Sequence, residues 1–373
     1  MKIKEMFETI SPLLIEAKST SITLGLSRRF FLFSLMGKII RKIEDDPYLN
    51  FISLLKYYKI LGNFLTGTIR EFYRDRNKHY FRDFFPDEQL YENVKADIKW
   101  LVREHPNVRA TMTKKGIIIY DNFQKDKFNT LLFTIHSGTW IPENIREKFH
   151  LSAYERHQEE DIASHRIYAS LVLKKNGIWI DNKQSRFACD FNRPVNLAVY
   201  RNNQERWAQK VWRKDPLKWE RTELLESYKE FYFLLEKLID TYHFNIILDG
   251  HTMGDEKDRA NISFGTAFIP KFYMPIVEKM RDQLNKKGYA PVSFNAPYYG
   301  GNILQSLKEK HPDLFICFIE INKKLYMNPG RDKVYDGKLA SLSENLTSIF
   351  DLEMQDGATE GYPYYAPKRR QKR

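Results

Sequence analysis

Leu131-Leu132-Phe133-Thr134-Ile135-His136-Ser137-Gly138-Thr139-Trp140 decides how this chain is read. A short apolar run ending in Ser-Gly predicts a buried strand entering a tight loop, which puts His136 at the strand's carboxyl end. Open α/β sheets bind their ligands at that end of the strands. A second stretch has the same grammar: Phe244, Ile246, Ile247 and Leu248 form an apolar β-prone run followed by Asp249-Gly250-His251. Either histidine alone reads as a satisfied polar loop residue. Two of them, each after a buried strand and each followed by a small residue, predict convergence on one ion.

Outward from these two strands, helix and strand alternate. Leu224, Tyr228, Phe231, Tyr232, Leu235, Leu238, Ile239 and Tyr242 recur at spacings of three and four, an amphipathic helix that feeds directly into the second strand. The acids Glu159, Glu160 and Asp161 open a predicted helix through Val172, because carboxylates in a first turn are favoured by the helix dipole. Another helix covers 270–287 and is stopped by Gly288, and further short β-prone runs lie at 116–120, 177–180, 187–191, 291–295 and 315–321. These elements predict an α/β domain over 111–360. Residues 1–110 read as a mostly helical extension, with Tyr57, Tyr58, Ile60, Leu61, Phe64 and Leu65 at helical spacing and a further helix over 88–104 ending before Pro106. Residues 361–373 read as a basic, disordered tail.

Composition narrows the class. At 373 residues and 42% hydrophobic, the chain can bury a full core. The formal charge is +12, but Lys368, Arg369, Arg370, Lys372 and Arg373 supply five of those charges, and without them about +7 remains. No aromatic and basic binding module accompanies the tail, so no nucleic-acid partner is expected. Two cysteines, Cys189 and Cys317, both in predicted strands, exclude a disulfide framework and suit a reducing compartment. The most lipophilic window, 30–40, is too short to span a bilayer, and Glu5 and Glu8 interrupt the N-terminus where a signal peptide would be apolar. A cytoplasmic protein with no membrane span is the expectation.

A catalytic zinc takes about three protein ligands, mixing imidazole nitrogen and carboxylate oxygen, and leaves a position open. His136 and His251 supply two; Asp161 is the expected third, with Glu160 and Glu159 as alternates. Asp249, two residues from His251, is placed to orient a ligand. Glu320 lies between Ile319 and Ile321, and a carboxylate in so apolar a run either faces solvent by alternation or lines a site, where a raised pKa would suit it to proton transfer. Arg186 and Arg193, with Asn192 beside the second, frame Asp190 and suit bidentate grip of a substrate carboxylate.

Read in order, His136-Ser137-Gly138-Thr139 with Ile141-Pro142, Arg186 through Asp190 to Asn192-Arg193-Pro194, Asp249-Gly250-His251, 297–301, and Glu320 to Tyr326-Met327 resemble the N-formylglutamate amidohydrolase, or deformylase, family. The resemblance covers about 115–330. It implies a fold similar to the zinc carboxypeptidases, a mixed central sheet flanked by helices and holding a single zinc. It also implies ligand roles for His136, His251 and Asp161, a catalytic role for Glu320, and substrate-carboxylate binding by Arg186, Asn192 and Arg193. The carboxypeptidases take a Glu ligand three residues after the first His, where this chain has Thr139, so the carboxylate comes from elsewhere. The usual Asp-x-His-Ser reads Asp249-Gly250-His251-Thr252, which keeps the hydroxyl. The function expected is metal-dependent hydrolysis of a small N-formyl or N-acyl amino acid by an activated water. The alternatives are a metallopeptidase or amidase acting on peptide or cell-wall fragments, and a non-catalytic binding protein on the same fold.

Overall fold

A computed structural model describes residues 65–68, 87–105, 108–113, 115–122, 128–174, 177–201, 210–242 and 244–359. The lipophilic window at 30–40, the aromatic stripe at 57–64 and the basic tail lie outside them. The chain divides into two compact units, residues 1–124 and 125–373.

In the first unit, strand β1 (Leu65–Thr68), helix α1 (Glu88–Glu104), strand β2 (Val108–Met112) and strand β3 (Ile117–Asn122) follow one another, and β2 pairs antiparallel with both β1 and β3. Asp87 starts α1 by accepting from the Leu90 amide at 3.0 Å, which satisfies one of the four unpaired donors at a helix start. The helix stands where its pattern places it. The strands at 65–68 and 108–112 depart from the mostly helical expectation for this region. Their β-branched Thr66, Thr68, Val108 and Thr111 favour extended backbone, and the ladder that completes them is a long-range pairing that no short window of sequence displays.

The second unit carries strand β4 (Thr130–Thr134), helices α2 (Glu143–Arg146), α3 (Ala153–Glu159) and α4 (Ser164–Leu173), strand β5 (Gly177–Asn182) and helix α5 (Lys218–Tyr242). There follow strands β6 (Ile246–Met253) and β7 (Ile262–Gly265), helix α6 (Met274–Leu284), strand β8 (Val292–Phe294), helix α7 (Asn302–Lys310), strand β9 (Phe315–Asn322) and helix α8 (Asp336–Thr359). Its strands run in the order β5-β4-β6-β9-β7-β8. The first four are parallel; β7 runs antiparallel to β9, and β8 parallel to β7. This is the mixed sheet flanked by helices that the resemblance implied. Strands buried on both faces need apolar side chains throughout, and Leu131, Leu132, Phe133, Ile178, Trp179, Ile180, Ile247 and Leu248 are all at most 1% exposed. Each such side chain stabilises the fold by about 1.5–3 kcal/mol through burial. Helix α4 packs on β4, β5 and β6, α8 packs on α4, and Phe231 of α5 meets Phe133 edge to face. Among the described residues no helix is long and apolar enough to cross a membrane.

Three local readings change. Strand β6 continues through Met253, so His251 sits inside the strand rather than beyond it. The acids at 159–161 do not open a helix; Glu159 ends α3, and Glu160 and Asp161 lie in the break before α4, where Ala163 takes a left-handed φ of 61°. The run 187–191 is a buried loop, not a strand, so Cys189 is buried outside the sheet. Its backbone bonds go elsewhere: Ala188 and Cys189 donate to the Ser185 carbonyl, and Asp190 donates to Ala198 at 2.7 Å.

Candidate metal and substrate site

The chain leaves β4 at Thr134 and turns sharply, carrying His136 over the carboxyl ends of the parallel strands. The turn is built on Asp181 of β5, which accepts from Thr134 Oγ1 at 2.7 Å and from the Ser137 hydroxyl. Gly138 passes so close to the next strand's exit that a Cβ there would stand 2.1 Å from the Lys183 carbonyl carbon. Only glycine permits that approach.

Asp161 reaches the same point from the α3–α4 break, its amide donating to the His136 carbonyl at 3.0 Å. His251 arrives along β6, one strand over, and Gly250 before it leaves the room that the Tyr168 ring occupies. The two imidazole rings stand edge to face with centroids 4.8 Å apart. Both Nδ1 atoms face one oxygen, Asp161 Oδ2, at 3.9 Å from His136 and 3.0 Å from His251. Behind them each Nε2 faces another carboxylate. His136 Nε2 is hydrogen-bonded to Asp190 Oδ1 at 2.8 Å, and His251 Nε2 stands 2.7 Å from Asp249 Oδ1, out of line for a hydrogen bond but in Coulombic contact.

This donor set fits a divalent metal. One ligand atom from each of His136, Asp161 and His251 can be chosen with all three within 4.8 Å of one another, and all three residues are buried. His136 Nδ1 is a buried nitrogen with no hydrogen-bond partner, a costly condition that a cation would relieve. A carboxylate behind each imidazole is the arrangement that fixes the tautomer of metal-ligating histidines. The alternates for the third ligand are placed otherwise. Glu160 accepts from the Ser185 hydroxyl at 2.5 Å and pairs with Arg156, while Glu159 lines the cavity wall.

Glu320 is the register partner of His251 on the adjacent β9, and Phe318 on the same face packs 4.9 Å from the His251 ring. Glu320 therefore faces the site, not solvent, with Oε2 unpartnered. Burial pushes its carboxyl up to about 8, with Asp161 adding to the shift and His251 opposing it. Burial together with Arg186 lowers the His136 imidazole, whereas on His251 burial is overcome by Asp249 and Asp161, which hold it well above its ordinary range.

Arg186, Asn192 and Arg193 come from the loop that replaces the predicted strand, and all three line the same cavity of about 370 Å³ as His136, His251 and Glu320. The two arginines share a partner the sequence did not reveal. Asp190 Oδ2 accepts from Arg186 at 3.2 Å, Arg193 at 3.3 Å and the Tyr200 hydroxyl at 2.7 Å. Burial works against the Asp190 carboxylate, but His136 and Arg186 outweigh it and hold the group well below the usual range. The only hint in the sequence was an acid flanked by two arginines four and three residues away. Asn192 is held against the 300–301 loop: its Oδ1 would lie 2.1 Å from a Cβ at Gly301 and accepts weakly from the Ile303 amide. Tyr298 and Arg259, stacked cation over ring at 5.8 Å, form a further wall that sequence reasoning missed.

The sequence profile of the N-formylglutamate amidohydrolase family matches residues 128–327. The fold is similar to that of an N-formylglutamate amidohydrolase from Ralstonia eutropha JMP134, with a TM-score of 0.53 and 17% identity over 62% of this chain and 95% of that one. A gene product from Agrobacterium tumefaciens is similar at a TM-score of 0.49 and 17% identity, over 65% of this chain and 96% of that one. A metallo-carboxypeptidase from Pseudomonas aeruginosa follows at a TM-score of 0.29 and 10% identity, over 64% and 60%. No curated protein matches the sequence.

Proposed function

The chain belongs to the N-formylglutamate amidohydrolase family, and on that premise we propose that it hydrolyses the amide bond of a small N-formyl or N-acyl amino acid with the help of one zinc ion. The observation that carries the reading is the meeting of His136, Asp161 and His251 with the unpartnered carboxylate of Glu320 in a single cavity.

His136, Asp161 and His251 would hold the metal, with Asp190 and Asp249 fixing the two imidazoles. When bound, such an ion polarises the amide carbonyl and makes water a nucleophile near neutral pH. Glu320 accepts the proton from the attacking water and returns it to the leaving nitrogen; burial, which raises its carboxyl above the ordinary range, favours its carrying the proton between the two steps. Arg186, Asn192 and Arg193 hold the substrate carboxylate along the wall the loop forms. A cavity of about 370 Å³ suits a small substrate better than an extended peptide.

The test is incubation of the purified protein, loaded with zinc or stripped by a chelator, with N-formylglutamate and a panel of N-acyl amino acids. Release of the free amino acid by the loaded form alone is the expected result. No release from any of them, with the metal in place, sinks the reading.

A further inference from the structure

The three residues proposed to grip the substrate carboxylate sit on a loop. From Ser185 to Tyr200 the chain forms neither helix nor strand, yet Arg186, Asn192 and Arg193 all come from it. A binding group must be held within about 0.5 Å of its productive position, and a loop secures that only when something rigid holds it. The head of Arg193 is fixed within the loop, because its Nε donates to Asp190 Oδ2 and to the Tyr200 hydroxyl, each at 3.3 Å. Its backbone is fixed from outside.

Helix α5 presents Tyr228 and Tyr232, four residues apart and so on one face. Their rings lie 4.5 Å apart between centroids, tilted by 30°. The Tyr228 hydroxyl donates to the Arg193 carbonyl at 2.9 Å, and the Tyr232 hydroxyl donates to the Phe191 carbonyl at 2.9 Å. The two bonds straddle Asn192. Phe231, next to Tyr232, packs on Phe191 at 5.2 Å and on Phe133 of β4 at 6.3 Å between ring centroids, which ties this stretch of α5 to the sheet.

The circuit closes through the start of α7. Asn302 Nδ2 donates to the Tyr232 hydroxyl at 3.0 Å, and the amide of the next residue, Ile303, donates to Asn192 Oδ1 at 3.4 Å. Asn192 is therefore held by its side chain and by the carbonyls of both its neighbours. Burial pushes both tyrosine hydroxyls above their ordinary range, so they keep their protons and remain donors at neutral pH. A carbonyl in a buried loop needs a donor for stability alone. What sets these two apart is that both belong to the neighbours of one residue of the grip, and that one of them is Arg193.

We propose that Tyr228 and Tyr232 are positioning residues for the substrate carboxylate, fixing Asn192 and Arg193 relative to the sheet that carries His251 and Glu320. The proposal rests on the amidohydrolase reading for the role of that loop, but its test needs no turnover.

The probes are N-(methylsulfonyl)alanine, whose sulfonyl group replaces the acyl carbonyl and resists hydrolysis, and its carboxamide, which lacks only the carboxylate. Calorimetry on the zinc-loaded full-length protein gives the affinity for each. The wild type should bind the acid at least about tenfold more tightly, since hydrogen bonds to a charged group are worth more than neutral ones. Tyr228→Phe and Tyr232→Phe remove a hydroxyl and keep the ring. Each should cut that preference by a factor of about two to ten, with carboxamide affinity and zinc content unchanged. Asn302→Ala should cut it as well and add nothing to Tyr232→Phe, because the two act through one hydroxyl. It lies outside α5 and reports even where a tyrosine variant folds poorly.

The proposal is overturned if the wild type binds acid and carboxamide alike, or if the tyrosine variants and Asn302→Ala keep the full preference. It is overturned too if the variants lose both probes together with zinc, since the tyrosines then only hold the fold. A protein that hydrolyses no N-acyl amino acid, yet prefers the acid and loses the preference with the tyrosines, refutes the proposed activity and leaves their positioning role standing.

Discussion

His136 gives its Nε2 to Asp190 Oδ1 at 2.8 Å and keeps Nδ1 unpartnered, 3.9 Å from Asp161 Oδ2. One carboxylate thereby sets which nitrogen of the ring faces the metal position, while its other oxygen holds Arg186, Arg193 and Tyr200. Asp190→Asn keeps the shape and loses the charge, so zinc affinity should fall about ten- to a hundredfold, the usual cost of removing a partner behind a ligating histidine. Chelator competition measures it, with circular dichroism to show that the fold is kept. Unchanged affinity would mean that Asp190 only anchors the loop.

Glu320 should separate chemistry from metal binding. Its carboxylate is not among the three proposed ligands, so Glu320→Gln is expected to retain zinc in full while turnover falls by about 10²- to 10⁴-fold, the range general acid–base catalysis contributes. Elemental analysis beside a kcat measurement checks both halves. Loss of zinc in the variant would move Glu320 into the ligand set.

The placement of Glu320 also shows how far the sequence could be read. Two histidines after apolar runs, an acid within a third run and a nearby acidic cluster were enough to name the residues that meet, because a parallel sheet delivers its strand ends to one edge. What could not be read was local backbone. An acidic trio reads as a helix start by its dipole preference, yet here Ala163 turns left-handed, and the hydrogen bond from Asp161 to the His136 carbonyl sets its place. The run 187–191 looks like a strand because Phe187, Ala188, Cys189 and Phe191 are apolar, but they are buried in a loop whose polar groups are met by Ser185 and Asp190. The role of Asp190 depends on contacts between residues distant in the chain, His136 above all. No window of sequence displays those.

The raised Glu320 carboxyl gives a pH signature in the metal-free protein. Its ordinary value is 4.5 and its folded value about 8, so between them the folded state binds more protons than the unfolded one. Through Glu320 unfolding free energy then falls as pH rises through that window; the raised His251 contributes a slope of the same sign, and the lowered His136 one of opposite sign below about 6.5. Across pH 4.5 to 8 the melting temperature of the stripped wild type should fall relative to that of Glu320→Gln, which lacks the Glu320 contribution. A variant with the wild-type slope would place the titration elsewhere.

Gly138 is the sharpest packing constraint on the site. The atoms a Cβ would meet are backbone, Lys183 carbonyl carbon at 2.1 Å, its oxygen at 2.3 Å and the Asn182 oxygen at 2.5 Å, so no side chain can move aside. Gly138→Ala must instead push the His136 turn off β5, straining the bonds that Ser137 and Thr134 make to Asp181. Forced overpacking costs about 1–3 kcal/mol, and the displaced turn carries His136, a proposed metal ligand, so stability and zinc affinity should fall together. Gly337→Ala is the matched control, because nothing lies within 4 Å of a Cβ there. Thermal melts and chelator competition on the two variants give the comparison. Equal behaviour of both would show that the turn yields without moving His136.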